Sequence, residues 1–73
     1  MYYVYVLENN QKEYYIGYTD DIERRLKQHQ REDKSYVLEY YEAYSTQDLA
    51  RKRERKLKYY GSAWRGLKKR LGC

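Results

Sequence analysis

Arg25 and His29 lie four residues apart in the run Ile22-Glu23-Arg24-Arg25-Leu26-Lys27-Gln28-His29, and with Ile22 and Leu26 they fall on one helical face. A purely structural helix turns aliphatic side chains toward its support, so a guanidinium and an imidazole on that face single it out. Farther along, Glu54 is the sole acid in the last 23 residues, set among Arg51, Lys52, Arg53, Arg55, Lys56 and Lys58. Hydrolysis of a phosphodiester requires an activated water, positive charge at the phosphate oxygens and stabilisation of the leaving oxygen. Arg25 and His29 suit two of those tasks. A carboxylate kept ionised by basic neighbours suits a hard divalent cation, which takes oxygen ligands and retains much of its water. The other acids sit singly or in pairs at turns and caps, so the pattern fits one metal ion better than two. A structural account of the same residues exists. Arg25 would pair with Asp21 one turn back, His29 would end the stripe, and Glu54 would balance Lys58 at i+4, each pair stabilising its helix by about 0.2–0.5 kcal/mol. Spacing alone leaves both accounts open.

The elements that must position these residues follow from periodicity and turn chemistry. Tyr2-Tyr3-Val4-Tyr5-Val6-Leu7 and Tyr14-Tyr15-Ile16-Gly17-Tyr18 are aromatic and β-branched, and apolar on both alternating faces, as strands of a sheet covered on both sides are. The polar stretch Glu8 to Glu13 joins them as a hairpin, with Asn available for left-handed backbone. A three-residue loop at Asn9-Asn10-Gln11 pairs Tyr5 with Tyr15, whereas a four-residue loop sends the two rings to opposite faces. The sequence leaves this register open. Asp20 and Glu23 are spaced as a capping box for a helix running to about Arg31. Val37 to Tyr44 reads as a third strand. Ser45 and Asp48 form a second capping box for a helix through roughly Tyr60, Gly61 is its stop, and Ser62 caps a last helix to Leu71. Leu57, Tyr60, Trp64, Leu67 and Leu71 make one stripe, which packs on the sheet. The expected fold is α/β in the order ββαβαα: a three-stranded antiparallel sheet flanked by helices, with residues 1–73 forming one domain.

Composition narrows the setting. The chain has 73 residues, room for one small core, and its large apolar side chains are mostly the twelve tyrosines, with one Trp and no Phe. Each buried tyrosine hydroxyl needs a partner. Mean hydropathy is −1.28, and no apolar run approaches the roughly 20 residues of a membrane span. The first apolar stretch is short and lacks a basic lead, so no signal peptide is expected. The single cysteine, Cys73, has no internal partner and reads as an incidental exposed thiol, which fits a cytoplasmic location. The formal charge of +5 is unevenly spread. Residues 1–50 carry six Lys/Arg against ten Asp/Glu, and residues 51–73 carry ten against one. So dense a basic segment suits a polyanion, because lysines and arginines that neutralise phosphates release condensed counterions. The plainer alternative is a solvated helix face.

Five elements in order, Tyr3-Val4-Tyr5, Tyr15-Ile16-Gly17, Arg25, His29 and Glu54, resemble the signature of the GIY-YIG nucleases. The continuous stretch from Tyr14 to His29 looks especially like the small stand-alone members of that family. The resemblance covers Tyr2 to about Leu71. It departs in the first letter of the leading triplet, which is Tyr3 here, in a short segment between the first helix and the third strand, and in the absence of any Asn after Asn10, where many members carry a late one.

The resemblance implies a metal-dependent endonuclease acting on DNA, in repair or structure-specific cleavage, with Mg2+ (or Mn2+) as cofactor. It implies Tyr5, Tyr15, Arg25 and His29 as catalytic residues, Glu54 as the metal ligand and a general base among Tyr5, Tyr15 and His29. A tyrosine, with an ordinary pKa near 10, acts as a base only where cations such as Arg25 favour its phenolate. Gly17 is expected to allow close approach of backbone or substrate, and Arg51, Arg55, Lys68 and Lys69 to contact the nucleic acid. No membrane is expected as a partner. Two rival readings keep the fold: a non-catalytic nucleic-acid-binding module, and a nuclease subunit that depends on a protein partner or a second copy.

Overall fold

The structure is a computed structural model that describes residues 1–72; Cys73, and the reading of it as an exposed thiol, lie outside the described residues. Its elements run β1 (Tyr2–Glu8), β2 (Tyr14–Thr19), α1 (Ile22–Glu32), β3 (Val37–Tyr44), α2 (Gln47–Tyr59) and α3 (Gly61–Arg70). The three strands form one antiparallel sheet in the order β2-β1-β3. This is the expected ββαβαα arrangement. The apolar run of β1 has its reason here: β1 is the central strand, and Val4, Tyr5, Val6 and Leu7 are all buried because both of its faces are covered.

One face carries the main core. Val4 and Val6 pack with Ala50 and Leu57 of α2 and Leu67 of α3, bordered by Tyr14, Ile16, Tyr40, Tyr44 and Trp64. The stripe expected through the last two helices is largely there, since Leu57 and Leu67 are buried and Trp64 and Leu71 pack against the core. Tyr60 departs from it. The helix breaks at this residue, which caps α2 with extended backbone and leaves its ring in solvent. Tyr5 and Leu7 occupy the opposite face, on the side of α1.

The hairpin loop is neither three nor four residues long. Glu8 pairs with Tyr14, leaving Asn9 to Glu13 as a five-residue loop. Asn9, itself buried, organises it. Its side-chain oxygen accepts from the backbone N–H groups of Gln11 (3.0 Å) and Glu13 (2.9 Å), and its amide nitrogen donates to Glu13 (3.0 Å) and Asp33 (3.2 Å). The left-handed position falls to Lys12 (φ 60°), not to an asparagine. Asp33 caps the C-terminus of α1 and also accepts from the Ser35 hydroxyl at 2.6 Å, so one network ties the hairpin tip to the end of α1.

The helix starts differ from the expected capping boxes by one residue each. Asp21, not Asp20, caps α1 by accepting from the Arg24 N–H at 3.1 Å, and Thr46, not Ser45, caps α2 by accepting from Leu49 at 3.3 Å. In both cases the cap is the last extended residue before the helix, whose side chain reaches the N3 amide. Gly61 is not a stop. It opens α3 directly, and the cap residue Tyr60 makes no side-chain bond to the helix, so Ser62 is not the cap.

A half-buried ion pair fastens β3 to α2. The Glu42 carboxylate accepts from Arg53 Nε (3.0 Å) and a terminal Arg53 nitrogen (3.2 Å), and from the hydroxyls of Tyr40 (2.5 Å) and Tyr44 (2.6 Å). Burial pushes the Glu42 pKa up, but the bonds from Arg53, Tyr40 and Tyr44 outweigh it and hold the carboxyl below its ordinary value. The same desolvation, reinforced by the bonds to Glu42, pushes the Tyr44 phenol up to about 12.

Candidate active site

Parity of the hairpin decides which tyrosines meet. With Glu8 opposite Tyr14, Tyr15 lies opposite Leu7 and Gly17 opposite Tyr5. Residues of β1 at positions 5 and 7 share a face, so Tyr5 and Tyr15 share it too, as diagonal neighbours rather than a direct pair. Their rings stack with centroids 6.2 Å apart.

Helix α1 adds His29 and Arg25. The Tyr5 hydroxyl and His29 Nε2 are 3.3 Å apart, and the His29 ring tilts against Tyr15 with centroids 4.1 Å apart and meets Tyr36 edge-on at 6.0 Å. The Arg25 guanidinium lies against the Tyr5 phenol and bonds Gln28 at 3.1 Å, without the pairing to Asp21 that the structural account requires. Asp21 is occupied as the helix cap, and it is Arg24 that pairs with an acid one turn back, Asp20, at 2.9 Å. Both Arg24 and Arg25 also line an open cleft of about 430 Å3 with Tyr18, Thr19 and Gln47.

Burial and the neighbouring Tyr15 raise the Tyr5 pKa to about 12, against the opposing pull of Arg25. Arg25 does favour the phenolate, as expected, but at 1 % exposure desolvation outweighs it, and Tyr5 is a neutral phenol. Desolvation and the Arg25 charge together lower the His29 pKa below its ordinary 6.5, with Glu32 opposing, so His29 is a neutral imidazole at pH 7 and has a lone pair to accept a proton.

Glu54 comes from α2. It shares the inward stripe of Ala50 and Leu57, its side chain is 13 % exposed, and its negative charge acts on Tyr5. Lys58, one turn on, lies 3.4 Å from a Glu54 oxygen and 5.8 Å from the centre of the Tyr15 ring. Five residues from four elements, Tyr5, Tyr15, Arg25, His29 and Glu54, are thus linked through Tyr5 and Tyr15. Lys58 joins them, although its i+4 spacing from Glu54 marks it only as a charge-balancing neighbour. Among the described residues no group of three or more His, Cys, Asp or Glu side chains converges. A lone carboxylate with one long ion pair fits a hard cation that draws its remaining ligands from water and phosphate.

The residues expected to touch nucleic acid divide. Arg51 and Arg55 are exposed along α2, bordering a small open cleft with Asp48 and Lys52, and Lys69 is exposed on α3. Lys68 is half-buried, its ammonium over the rings of Tyr14 (5.6 Å) and Trp64 (5.8 Å). Gly17 is buried, and the space that a side chain would take is filled by the Tyr5 ring. Its neighbour on that side is the Tyr5 phenol. Nothing in spacing foretold the Glu42–Arg53 pair, whose members are eleven residues apart on different elements.

A three-stranded antiparallel sheet with three helices, displaying paired tyrosines, an arginine and a histidine beside a carboxylate, is a nuclease-type arrangement. Residues 1–68 match the GIY-YIG catalytic domain, and the chain belongs to that family. It is also 35 % identical over 66 residues to a UPF0213 protein of Haloquadratum walsbyi, covering 80 % of this chain and 74 % of that one. No solved structure matches it. Among the described residues no helix is long and apolar enough to cross a membrane.

Proposed function

We propose that this protein is a metal-dependent DNA endonuclease, one domain over residues 1–73, that cuts by a one-metal mechanism with Tyr5, Tyr15, Arg25 and His29 as catalytic residues and Glu54 as metal ligand. The observation that carries this reading is the 3.3 Å contact between the Tyr5 hydroxyl and a neutral His29, with Arg25 beside the same phenol. Such a contact lets a tyrosine with a pKa near 12 assist deprotonation without ever becoming a free phenolate. As the water attacks phosphorus, its proton passes to the half-buried, neutral His29, which the buried Tyr5 hydroxyl orients from Nε2. The new bond is water oxygen to phosphorus. The bond that breaks is phosphorus to the 3′ oxygen, which takes a proton from solvent, leaving a 5′-phosphate and a 3′-hydroxyl. Arg25 stabilises the charge growing on the phosphoryl oxygens, and Tyr15, tilted against His29, holds the imidazole in line. Glu54 would hold Mg2+ or Mn2+, and the ion supplies positive charge at the phosphate and the leaving oxygen. The reading includes a role in DNA repair or structure-specific cleavage and a cytoplasmic location.

The test is incubation of the protein with labelled branched, single-stranded and duplex DNA, in Mg2+ or in EDTA. Cleavage is expected only with the metal. Glu54→Gln should abolish it while DNA binding in EDTA survives or tightens, and Arg25→Ala should slow it by about 100- to 1,000-fold. A Gln variant as active as the wild type at saturating Mg2+ removes Glu54 from the site. Binding without cutting on every substrate hands the case to a non-catalytic module or to a subunit that needs a partner, a reading favoured by the Lys58 ammonium already paired with Glu54.

A further inference from the structure

Two adjacent tyrosines at the corner between α2 and α3 take no part in the site or the core. Tyr59 is 75 % exposed and Tyr60 is 63 % exposed. Among the described residues neither side chain makes a hydrogen bond or a ring contact. Folding leaves the apolar area of both phenol rings in water. Their place on the helix is informative. Arg51, Arg55 and Tyr59 are spaced four apart, so they form one exposed row along α2, each about 6 Å from the next. The row is cationic and ends in an aromatic face. Tyr60 follows at the corner, where the helix ends and the backbone turns extended.

Cations that track a phosphate backbone, ending in exposed rings, are the two components by which proteins hold unpaired bases: the charges engage the backbone and each ring offers a surface on which a base stacks. A duplex offers the phosphates but keeps its bases stacked on one another. We propose that Tyr59 and Tyr60 form a stacking platform for unpaired DNA bases, fed by the Arg51–Arg55 row, and that the preferred substrate therefore carries a single-stranded portion. This deepens the nuclease reading and rests on it for the choice of DNA. Glu54 lies on the same helix, five residues and about 7.5 Å along the axis from Tyr59 but on its inward face, so a strand stacked there runs along the outside of the helix that carries Glu54.

The experiment measures binding in EDTA, by fluorescence anisotropy, of the full chain to four labelled probes: an oligothymidylate of about 15 nucleotides, its abasic counterpart, an oligouridylate and a blunt duplex. Wild type is compared with the double variants Tyr59→Ala/Tyr60→Ala and Tyr59→Phe/Tyr60→Phe. The Ala variant should lose at least about fivefold in affinity for the oligothymidylate per base unstacked, with little change for the abasic strand or the duplex. The Phe variant should bind like the wild type, because phenylalanine keeps the ring and removes only the hydroxyl. Both rings are exposed, so the variants should melt as the wild type does. Equal binding of the Ala variant and wild type to the oligothymidylate overturns the proposal, as does an equal loss on the abasic strand. Loss confined to the oligouridylate overturns the assignment to DNA. Wild type that binds none of the probes overturns both this proposal and the DNA-cleaving reading, whereas cleavage with unchanged binding by the Ala variant overturns this proposal alone.

Discussion

The Tyr5 hydroxyl occupies the place that a side chain on Gly17 would take. A Cβ built on Gly17 would stand 2.5 Å from the Tyr5 oxygen and 2.8 Å from its Cζ, distances that no carbon contact tolerates. The two residues are direct cross-strand partners, and the bare glycine lets the Tyr5 ring cross β2 toward His29 and Arg25. The glycine of the Tyr-Ile-Gly triplet is thus required by the tyrosine of the preceding one.

Gly17→Ala should therefore cost roughly 1–3 kcal/mol, the usual effect of overpacking, since Tyr5 is buried and has nowhere to swing. Chemical denaturation of Gly17→Ala, Tyr5→Leu and the double variant measures it. The second substitution should recover part of the loss from the first; strictly additive effects would show that the two side chains do not compete for one space.

The depressed His29 pKa sets a pH profile. Neutral His29 is the proton acceptor, so cleavage should rise as pH climbs through the folded-state pKa, which lies below 6.5, and level off before neutrality. His29→Gln should remove that rising limb. Stability moves the same way. A group whose pKa is lower folded than unfolded stabilises the fold above its unfolded value, so melting temperature should fall as pH drops from about 6.5 through the folded value. A limb unchanged in His29→Gln would assign the proton to another group.

The Glu42–Arg53 pair should matter to stability far more than the exposed Arg24–Asp20 pair. Arg53 and Glu42 side chains are only 28 % and 16 % exposed, against 57 % and 62 % for Arg24 and Asp20. Arg53→Ala should destabilise by about 1.5–3 kcal/mol, the value of hydrogen bonds to a charged group, and Arg24→Ala by under about 1 kcal/mol. Because Glu42 has a lowered pKa, its contribution is present above its unfolded value near 4.5 and is lost as pH falls through the folded one. Thermal melts of both variants between acid and neutral pH test this. Equal losses would show that burial confers no advantage on the inner pair.

Salt dependence separates the basic residues by what they touch. Arg51→Gln/Arg55→Gln should reduce the slope of log affinity against log salt by nearly 0.9 per residue that contacts a phosphate, with melting temperature unchanged. Lys68→Gln should lower the melting temperature as well, since its stem and ammonium cover Tyr14 and Trp64. An unaltered slope in the arginine pair would make that face a solvated one only.

Local chemistry wrote much of this protein into its sequence. The strands follow from aromatic and β-branched runs, and the order ββαβαα from the alternation of those runs with helical spacing. The basic bias of residues 51–73 is plain from counting, and the i,i+4 relation of Arg25 to His29 follows from the helix itself. The helix caps were legible to within one residue, because neighbouring Asp20 and Asp21, or Ser45 and Thr46, offer equivalent oxygens and only the backbone turn selects one. What tertiary structure alone decided depends on distances between elements. The five-residue hairpin loop fixed the parity that brings Tyr5 and Tyr15 to one face, and it did so through Asn9, whose partner Asp33 is 24 residues away. Desolvation turned Tyr5 into a neutral phenol despite its neighbouring arginine, since the cost of burying a charge depends on enclosure, which no run of letters contains. The Glu42–Arg53 pair likewise exists only once α2 lies across the sheet, where low solvent access makes four hydrogen bonds to one carboxylate worth forming.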